Sequence, residues 1–117
     1  MKTIRDYIEE YSSRLHEADN LMPPEASKMR VELCSLLSRV NVQVTQKEVA
    51  FKRKKLEYRL AHESAADAKI YSEADPAYSE WLEAKAWQDA IKELIRATRD
   101  HAKTLEEEQR VTPTNNL

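Results

Sequence analysis

The chain has 117 residues and a formal net charge of −2, a size typical of one domain and a charge that indicates neither a nucleic-acid binder nor an acidic mimic of one. It contains no glycine. P-loops, dinucleotide-binding turns and nucleophile elbows are therefore excluded, because they need glycine where the backbone meets a phosphate or turns sharply. Charged residues make up 34% and aromatic residues 7% of the chain, which is typical of long solvated helices.

The first predicted helix spans about residues 3–18. Thr3 followed by Asp6 has the spacing of a capping pair, and apolar side chains then recur every three or four residues. Pro23 and Pro24 prevent its continuation, and Pro24 suits the first position of the next helix.

The second predicted helix spans residues 24–72, because no proline, glycine or cluster of turn residues interrupts this range. A helix of nearly fifty residues is about 70 Å long, which is unusual for a small domain. Its weakest stretch is residues 40–45, whose apolar and polar residues alternate as in a strand. A break near Asn41 is therefore an alternative.

The third predicted helix spans residues 76–109, with Asp75 as its cap and Pro76 just inside it. Residues 111–117 lack periodicity, and we expect them to be disordered. The predicted fold class is all-α, with residues 1–110 forming one helical domain. Its three helices include a very long central one, which forms an extended antiparallel hairpin.

The expected pairing follows from the short connections, which favour antiparallel neighbours. Reflection about a turn near Asp75 places Phe51 beside Ala97 and Thr98. The first helix is then expected to cover the early half of the long helix, and the third helix the later half. Such an arrangement is mostly two helices thick.

The long helix carries two apolar rows, and one antiparallel partner covers only one of them. Exposing several large apolar side chains forfeits roughly 1.5 to 3 kcal/mol each. We therefore predict a homodimer or larger assembly. The second row is its predicted interface: Leu36, Val42, Val49, Leu56 and Leu60. The alternative is a monomer, with the helix broken near Asn41 and folded into a compact four-helix bundle.

Trp81 and Trp87 are six residues apart, so on a helix their side chains diverge by about 120°. A tryptophan that faces outward is a predicted anchor for another protein, since its large area contributes strongly to interfaces. In the alternative interpretation, both lie under one wide apolar face.

Residues 47–60 contain six basic and two acidic residues, interleaved with Phe51 and Tyr58. Single-strand binders use this mixture, with cations for phosphates and rings for bases. The candidate nucleic-acid residues within the segment 47–59 are Lys47, Lys52, Arg53, Lys54, Lys55 and Arg59. In the simpler interpretation the rings face the third helix and the lysines solvate the outside.

We expect no catalytic residue, no metal and no cofactor. His16, His62 and His101 share no ligand spacing with one another or with Cys34, and the clustered carboxylates Glu106–Glu108 point to different sides of a helix. Cys34, which lies among leucines, is most simply a buried small apolar residue.

We also expect a cytoplasmic protein that does not enter a membrane. The N-terminal sequence lacks the apolar stretch of a signal peptide, and a lone cysteine cannot close an intramolecular disulfide. No window approaches the roughly 20 apolar residues of a membrane span.

Residues 61–110 combine an alanine-rich helix end, an acidic turn and a helix that ends in acidic residues. The features involved are Ala68, Lys69, Tyr78, Trp81, Ala84, Lys85 and Leu105 to Glu108. This stretch resembles small helical proteins encoded in the early or recombination regions of tailed phages. The resemblance covers under half of the chain and implies an accessory role beside single-strand annealing or DNA-binding proteins, without any catalytic residue.

Together these observations predict a non-enzymatic helical protein that self-associates and binds a macromolecular partner. The rival hypothesis is a nucleic-acid-binding accessory factor that works through the basic segment 47–59. An inhibitor or chaperone that occupies another protein would use the same surfaces.

Overall fold

The structure is a computed structural model that describes residues 2–17 and 23–115, with the side chains of residues 2–17, 24–100 and 103. This part of the chain is all-helical, which confirms the predicted fold class. It contains four helices: α1 (Ile4–His16), α2 (Pro23–Ala61), α3 (Ala65–Ala74) and α4 (Pro76–Asn115).

The first helix, α1, begins at its predicted cap. Thr3 Oγ1 accepts a hydrogen bond from Asp6 N (3.2 Å), and Asp6 Oδ2 accepts one from Thr3 N (2.9 Å), so the capping box is complete. The bond from Thr3 N to the charged carboxylate, followed by a contribution from the Thr3 side chain, lowers the pKa of Asp6 below its ordinary value. The helix ends at His16, and its predicted end at Ala18 lies outside the described residues.

The second helix, α2, passes through the stretch 40–45 without interruption, so the break considered near Asn41 is wrong. Thr45 Oγ1 donates to Asn41 O at 3.1 Å, which is how a β-branched hydroxyl is accommodated inside a helix. Helix formers on both sides of this stretch outweigh its strand-like alternation, and it lacks a partner strand. α2 has 39 residues and is therefore about 58 Å long.

The end of α2 differs from the sequence prediction. The helix ends at Ala61 instead of residue 72, so the predicted count of three helices is wrong and the described residues contain four. Arg59 Nη1 donates to the carbonyl oxygens of His62 (3.1 Å) and Glu63 (3.5 Å), and it thereby satisfies acceptors that a continuing helix would have bonded.

The next helix, α3, has its own start signal. Ser64 is its N-cap, with extended backbone, and Ser64 Oγ accepts from Asp67 N at 3.3 Å. The serine and the aspartate three positions later were visible in the sequence. Strong helix formers lie on both sides of them, and a single serine inside such a run does not by itself predict the end of a helix.

The last helix, α4, starts as predicted and ends later. Asp75 Oδ1 accepts from Ala77 N at 2.9 Å, so Asp75 caps α4 with Pro76 in the first turn. The helix continues to Asn115, beyond the predicted end at Gln109, so residues 111–115 are helical and are not the predicted disordered tail. No glycine follows Gln109 to supply the usual C-terminal stop.

The chain divides into two compact units, each described by itself. Unit 1 comprises Met1–Leu37 with Ala90–Leu117, and unit 2 comprises Ser38–Asp89. In unit 1, segments of α1, α2 and α4 surround one core, so the expectation of a layer two helices thick is wrong here. The core side chains are Ile4, Tyr11, Ala26, Met29, Leu33, Leu36, Ile91, Ile95 and Thr98.

Tyr11 links α1 to α2 within unit 1. Its Oη donates to Glu32 Oε2 at 2.9 Å, and Arg14 Nη1 lies 3.8 Å from the same oxygen. Burial raises the pKa of Tyr11 to about 12, and the bond to the Glu32 carboxylate adds to this effect because it favours the neutral phenol.

In unit 2 the helical hairpin reverses at residues 62–64, so α3 and the start of α4 run back along α2. Gln88 Nε2 donates to Asn41 Oδ1 (2.8 Å), and Phe51 packs against Tyr78, with ring centroids 5.0 Å apart. The predicted placement of Phe51 beside Ala97 and Thr98 is therefore wrong, since it assumed a reversal near Asp75. The core side chains of this unit are Val40, Phe51, Ala68, Ser72 and Ala84.

Candidate functional site

Unit 2 contains a cavity of about 510 Å³, between α2, α3 and the first turns of α4. Small-molecule sites in proteins have volumes of roughly 300 to 1,000 Å³. The cavity combines aromatic rings, cationic side chains and small residues of α3. Its lining residues are Phe51, Lys52, Lys55, Arg59, Ala65, Ala68, Lys69, Ser72, Glu73, Tyr78 and Trp81.

Three aromatic rings form one wall of the cavity. Phe51 stacks on Trp81, with ring centroids 5.3 Å apart and an interplanar angle of 14°, and it packs tilted against Tyr78. Lys85 Nζ lies 4.7 Å from the centroid of the Trp81 ring, a cation–π distance. Phe51 is therefore held in the core of unit 2, with its ring packed against Trp81 and Tyr78.

The indole nitrogen of Trp81 is buried, and no acceptor for it is found among the described residues. A buried donor without an acceptor costs about 1 to 3 kcal/mol, so native proteins usually satisfy such groups. The Trp81 N–H group therefore carries a desolvation cost that no acceptor among the described residues offsets.

The cationic side of the cavity consists of Lys52, Lys55 and Arg59 on α2 and Lys69 on α3, against one carboxylate, that of Glu73. Lys52 Nζ forms an ion pair with Glu48 (3.0 Å), and Arg59 donates to the backbone at the end of α2. Within the described residues, neither Lys55 nor Lys69 forms an ion pair. The cavity therefore has an excess of positive charge, part of which lacks a counter-ion among the residues that the structure describes.

The predicted nucleic-acid set is divided between several sides of α2. Only three of its members, Lys52, Lys55 and Arg59, line the cavity. Two of the others are engaged with their own chain: Lys47 Nζ with Glu80 (3.2 Å) and Lys54 Nζ with Glu57 (3.3 Å). The bond to Glu57 raises the pKa of Lys54. Exposed ion pairs of this kind contribute only about 0.2 to 1 kcal/mol, so they do not fix these lysines in place.

A second group of rings lies at the end of the hairpin. His62 stacks on Tyr71, with centroids 4.6 Å apart and an interplanar angle of 9°, and Tyr58 stacks at longer range on both. The Tyr58 hydroxyl bonds to Asp75, and this bond raises the pKa of Tyr58. Tyr58, the second ring of the predicted base-stacking pair, thus has a structural role.

The second apolar row of α2 is largely exposed. The exposed fractions are 57% for Val42, 46% for Val49, 60% for Leu56 and 80% for Leu60. At 100° per residue, this row lies roughly 140° to 180° around α2 from Phe51, so the helices that cover Phe51 do not cover it. Leu36 differs: it is 5% exposed and belongs to the core of unit 1, so its assignment to an oligomer interface is wrong.

The two tryptophans and the cysteine also differ from expectation. Trp81 is half-buried and packs in the aromatic wall of its own chain, not as an outward anchor, and Trp87 is half-buried as well. Cys34 is exposed, although its leucine neighbours indicated burial. The row Leu33, Leu36 faces the unit 1 core, and Cys34 lies on another side of the same helix turn.

No described group of three or more His, Cys, Asp or Glu residues is arranged to hold a metal ion. The side chains of His101 and of Glu106–Glu108 lie outside the described residues. In the described part of the chain, no helix is both long enough and apolar enough to span a bilayer. No protein-family model, curated protein or solved structure matches the chain.

Sequence reasoning did not find the cavity, because it treated α3 as part of one long helix. Ala65, Ala68 and Lys69 reach the aromatic wall only after the chain reverses at residues 62–64. The signal that predicts this reversal is the N-cap pair Ser64 and Asp67, and the alanines that follow are small enough to leave a gap.

Proposed function

We propose that the chain is a non-enzymatic association protein that forms a homodimer through the exposed row of α2, which consists of Val42, Val49, Leu56 and Leu60. The observation that carries the proposal is the exposure of these four large apolar side chains on one side of one helix. Single exposed apolar residues are ordinary, whereas an aligned group marks an interaction surface.

A second copy of the chain is the partner that this row fits. Val42, Val49 and Leu56 are spaced seven residues apart, which is the repeat with which one helix packs along another. A symmetric dimer needs only one such patch, because the same surface serves both copies.

The energetics favour reversible association. About half of the area of each side chain in the row is exposed in a single copy. Burying that area would stabilise the dimer by about 1 kcal/mol per side chain, or by about 8 kcal/mol for the eight side chains of two copies. This gain is comparable with the roughly 4 to 15 kcal/mol that association costs in lost freedom. The dimer should therefore dissociate on dilution.

The charges beside the row predict how salt affects the dimer. Arg53 precedes Leu56 by three residues on the same helix and forms no ion pair within the described residues, so like charges approach each other when two rows meet. Salt screens this repulsion and leaves apolar burial intact, so the dimer should become tighter as salt is added.

Sedimentation equilibrium over a wide concentration range tests the proposal. We expect a mass that rises from 13.6 kDa toward twice that value, and a lower affinity for the double variant Val49→Gln with Leu56→Gln. Leu82→Gln is the matched control, because Leu82 is an exposed apolar residue of α4 outside the row. A wild-type chain that stays monomeric throughout, or a double variant that assembles like the wild type, would contradict the proposal.

A second candidate function is the nucleic-acid accessory role, which is also the role that the resemblance to phage proteins implies. It is favoured by the grouping of Lys52, Lys55 and Arg59 with Lys69 on one side of unit 2. Binding to single-stranded DNA should weaken as salt increases, which is the opposite of the dimer's expected response. Replacing these four residues with glutamine should abolish DNA binding, whereas Arg53→Gln with Lys54→Gln should have a smaller effect.

A further inference from the structure

We propose that the cavity of unit 2 binds a small aromatic anion, that is, a flat ring system with one carboxylate, sulfonate or phosphate group. This ligand site is separate from the exposed row of α2 and does not depend on dimer formation. The size, wall chemistry and charge of the cavity each support it.

The size of the cavity suits one or two fused rings with a polar substituent. Its volume of about 510 Å³ is within the range of small-molecule sites, and Phe51, Tyr78 and Trp81 give it an apolar aromatic wall. Flat rings pack well against such walls, in offset or edge-to-face contacts. The small residues Ala65 and Ala68 of α3 also line the cavity.

The charge of the cavity selects an anion. Four cationic side chains and one carboxylate line it, and among the cations Lys55 and Lys69 form no ion pair within the described residues. A carboxylate, sulfonate or phosphate group would provide the missing counter-charge through hydrogen bonds to ammonium groups. Lys52 and Arg59 are already engaged, so we assign the main role in anion binding to Lys55 and Lys69.

Trp81 contributes its ring to the cavity wall. Its Nε1 atom is buried and not accessible from the cavity, so ligand recognition rests on ring packing and on the positive charges of Lys55 and Lys69.

The test uses 1-naphthalenesulfonate as the probe and the neutral compound 1-naphthol as its comparison. In the full-length chain with Trp87→Phe, Trp81 is the only tryptophan left, so its fluorescence reports on the cavity wall. We expect saturable binding of one sulfonate per chain, a change in Trp81 fluorescence, and at least tenfold weaker binding of the naphthol. Equal affinity for both compounds, or no saturable binding of the sulfonate, would overturn the proposal.

Two variants locate the site. Lys55→Gln with Lys69→Gln should weaken sulfonate binding about tenfold, because it removes the two cations to which we assign anion binding. Both side chains are exposed, so we expect this variant to fold like the wild type. Ala65→Leu should abolish binding by filling the cavity, while Ala66→Leu, an exposed neighbour that does not line it, should bind normally. Circular dichroism checks that each variant is folded. Should Ala65→Leu fail to fold, the lysine variant still decides the matter, since unchanged affinity there overturns the proposal.

Competition distinguishes a small ligand from a nucleic acid. Oligothymidylates of increasing length should displace 1-naphthalenesulfonate no better, at equal molar concentration, than thymidine monophosphate does. Displacement that strengthens steeply with length would mean that the cavity is part of a nucleic-acid groove, and the small-ligand proposal would then be wrong.

Discussion

Tyr58 Oη donates a hydrogen bond of 2.8 Å to Asp75 Oδ2, and this bond joins the last turns of α2 to the junction of α3 and α4. The other carboxylate oxygen of Asp75 accepts from Ala77 N at 2.9 Å. One side chain therefore both caps α4 and closes the hairpin of unit 2. The backbone bond from Ala77, followed by the bond from Tyr58, lowers the pKa of Asp75 below its ordinary value of 3.8.

The first prediction concerns acid stability. Because the folded-state pKa of Asp75 is lowered, this residue stabilises the fold at pH values above its unfolded-state pKa. That stabilisation is lost as the pH falls through the folded-state pKa. The urea midpoint of the wild type should therefore drop below about pH 4, and Asp75→Asn should lack that part of the drop. Asp89→Asn is the control, since Asp89 is an exposed carboxylate of the same unit. Equal acid profiles for wild type and Asp75→Asn would contradict the prediction.

The second prediction concerns alkaline stability and unit 1. The pKa of Tyr11 is raised to about 12 in the folded chain, from an ordinary value of 10.0. Its contribution is therefore complete below pH 10 and is lost as the pH rises toward 12. Tyr11→Phe removes this loss, and at neutral pH it should cost about 1 to 2 kcal/mol of unfolding free energy, since the hydroxyl bonds to a charged group.

A spectroscopic titration checks this directly, because the phenolate form of tyrosine absorbs at a longer ultraviolet wavelength than the neutral phenol. One ionisation step should occur near pH 12, above the ordinary tyrosine value of 10.0, and that step should be missing in Tyr11→Phe. Tyr7→Phe serves as the comparison on the same helix. If both variants lose the same ionisation step, Tyr11 is not the protected phenol.

The sequence predicted those elements whose signals are local. The capping box at Thr3 and Asp6 and the aspartate cap at Asp75 both follow from residue spacing, and the structure contains both. The exposed positions Val42, Val49 and Leu56 also follow from spacing, since they lie opposite Phe51 on any continuous helix.

The features that the sequence analysis failed to predict follow from one weak signal, the N-cap of α3 at Ser64. Missing the cap at Ser64 moved the expected chain reversal from residues 62–64 to Asp75, and this error shifted every pairing along the hairpin. It also hid the cavity, which exists only because α3 folds back on α2. Leu36 was misplaced for a related reason. Ile91 and Ile95 of α4 belong to the core of unit 1, and Leu36 is buried in that same core.

The third prediction tests the importance of that cap. Ser64→Ala should destabilise unit 2 by about 1 kcal/mol, because the amide of Asp67 loses its side-chain acceptor. Ser64→Asp keeps an acceptor at the cap and should be close to the wild type. Amide hydrogen exchange should accelerate mainly in α3 of the alanine variant, and uniform protection across both variants would show that the cap is dispensable.

The last prediction compares two leucines of the same helix, Leu36 and Leu56. Leu36 is buried in unit 1, so Leu36→Ala should cost about 2 to 5 kcal/mol at any protein concentration, from lost burial and the cavity it leaves. Leu56 is 60% exposed, so Leu56→Ala should change the stability of the dilute monomer by no more than about 0.5 kcal/mol. Its cost should appear only at high concentration, where a dimer would stabilise the wild type by mass action. Thermal unfolding of both variants at low and high concentration checks this difference. A penalty for Leu56→Ala that does not vary with concentration would mean that Leu56 stabilises its own chain rather than a dimer.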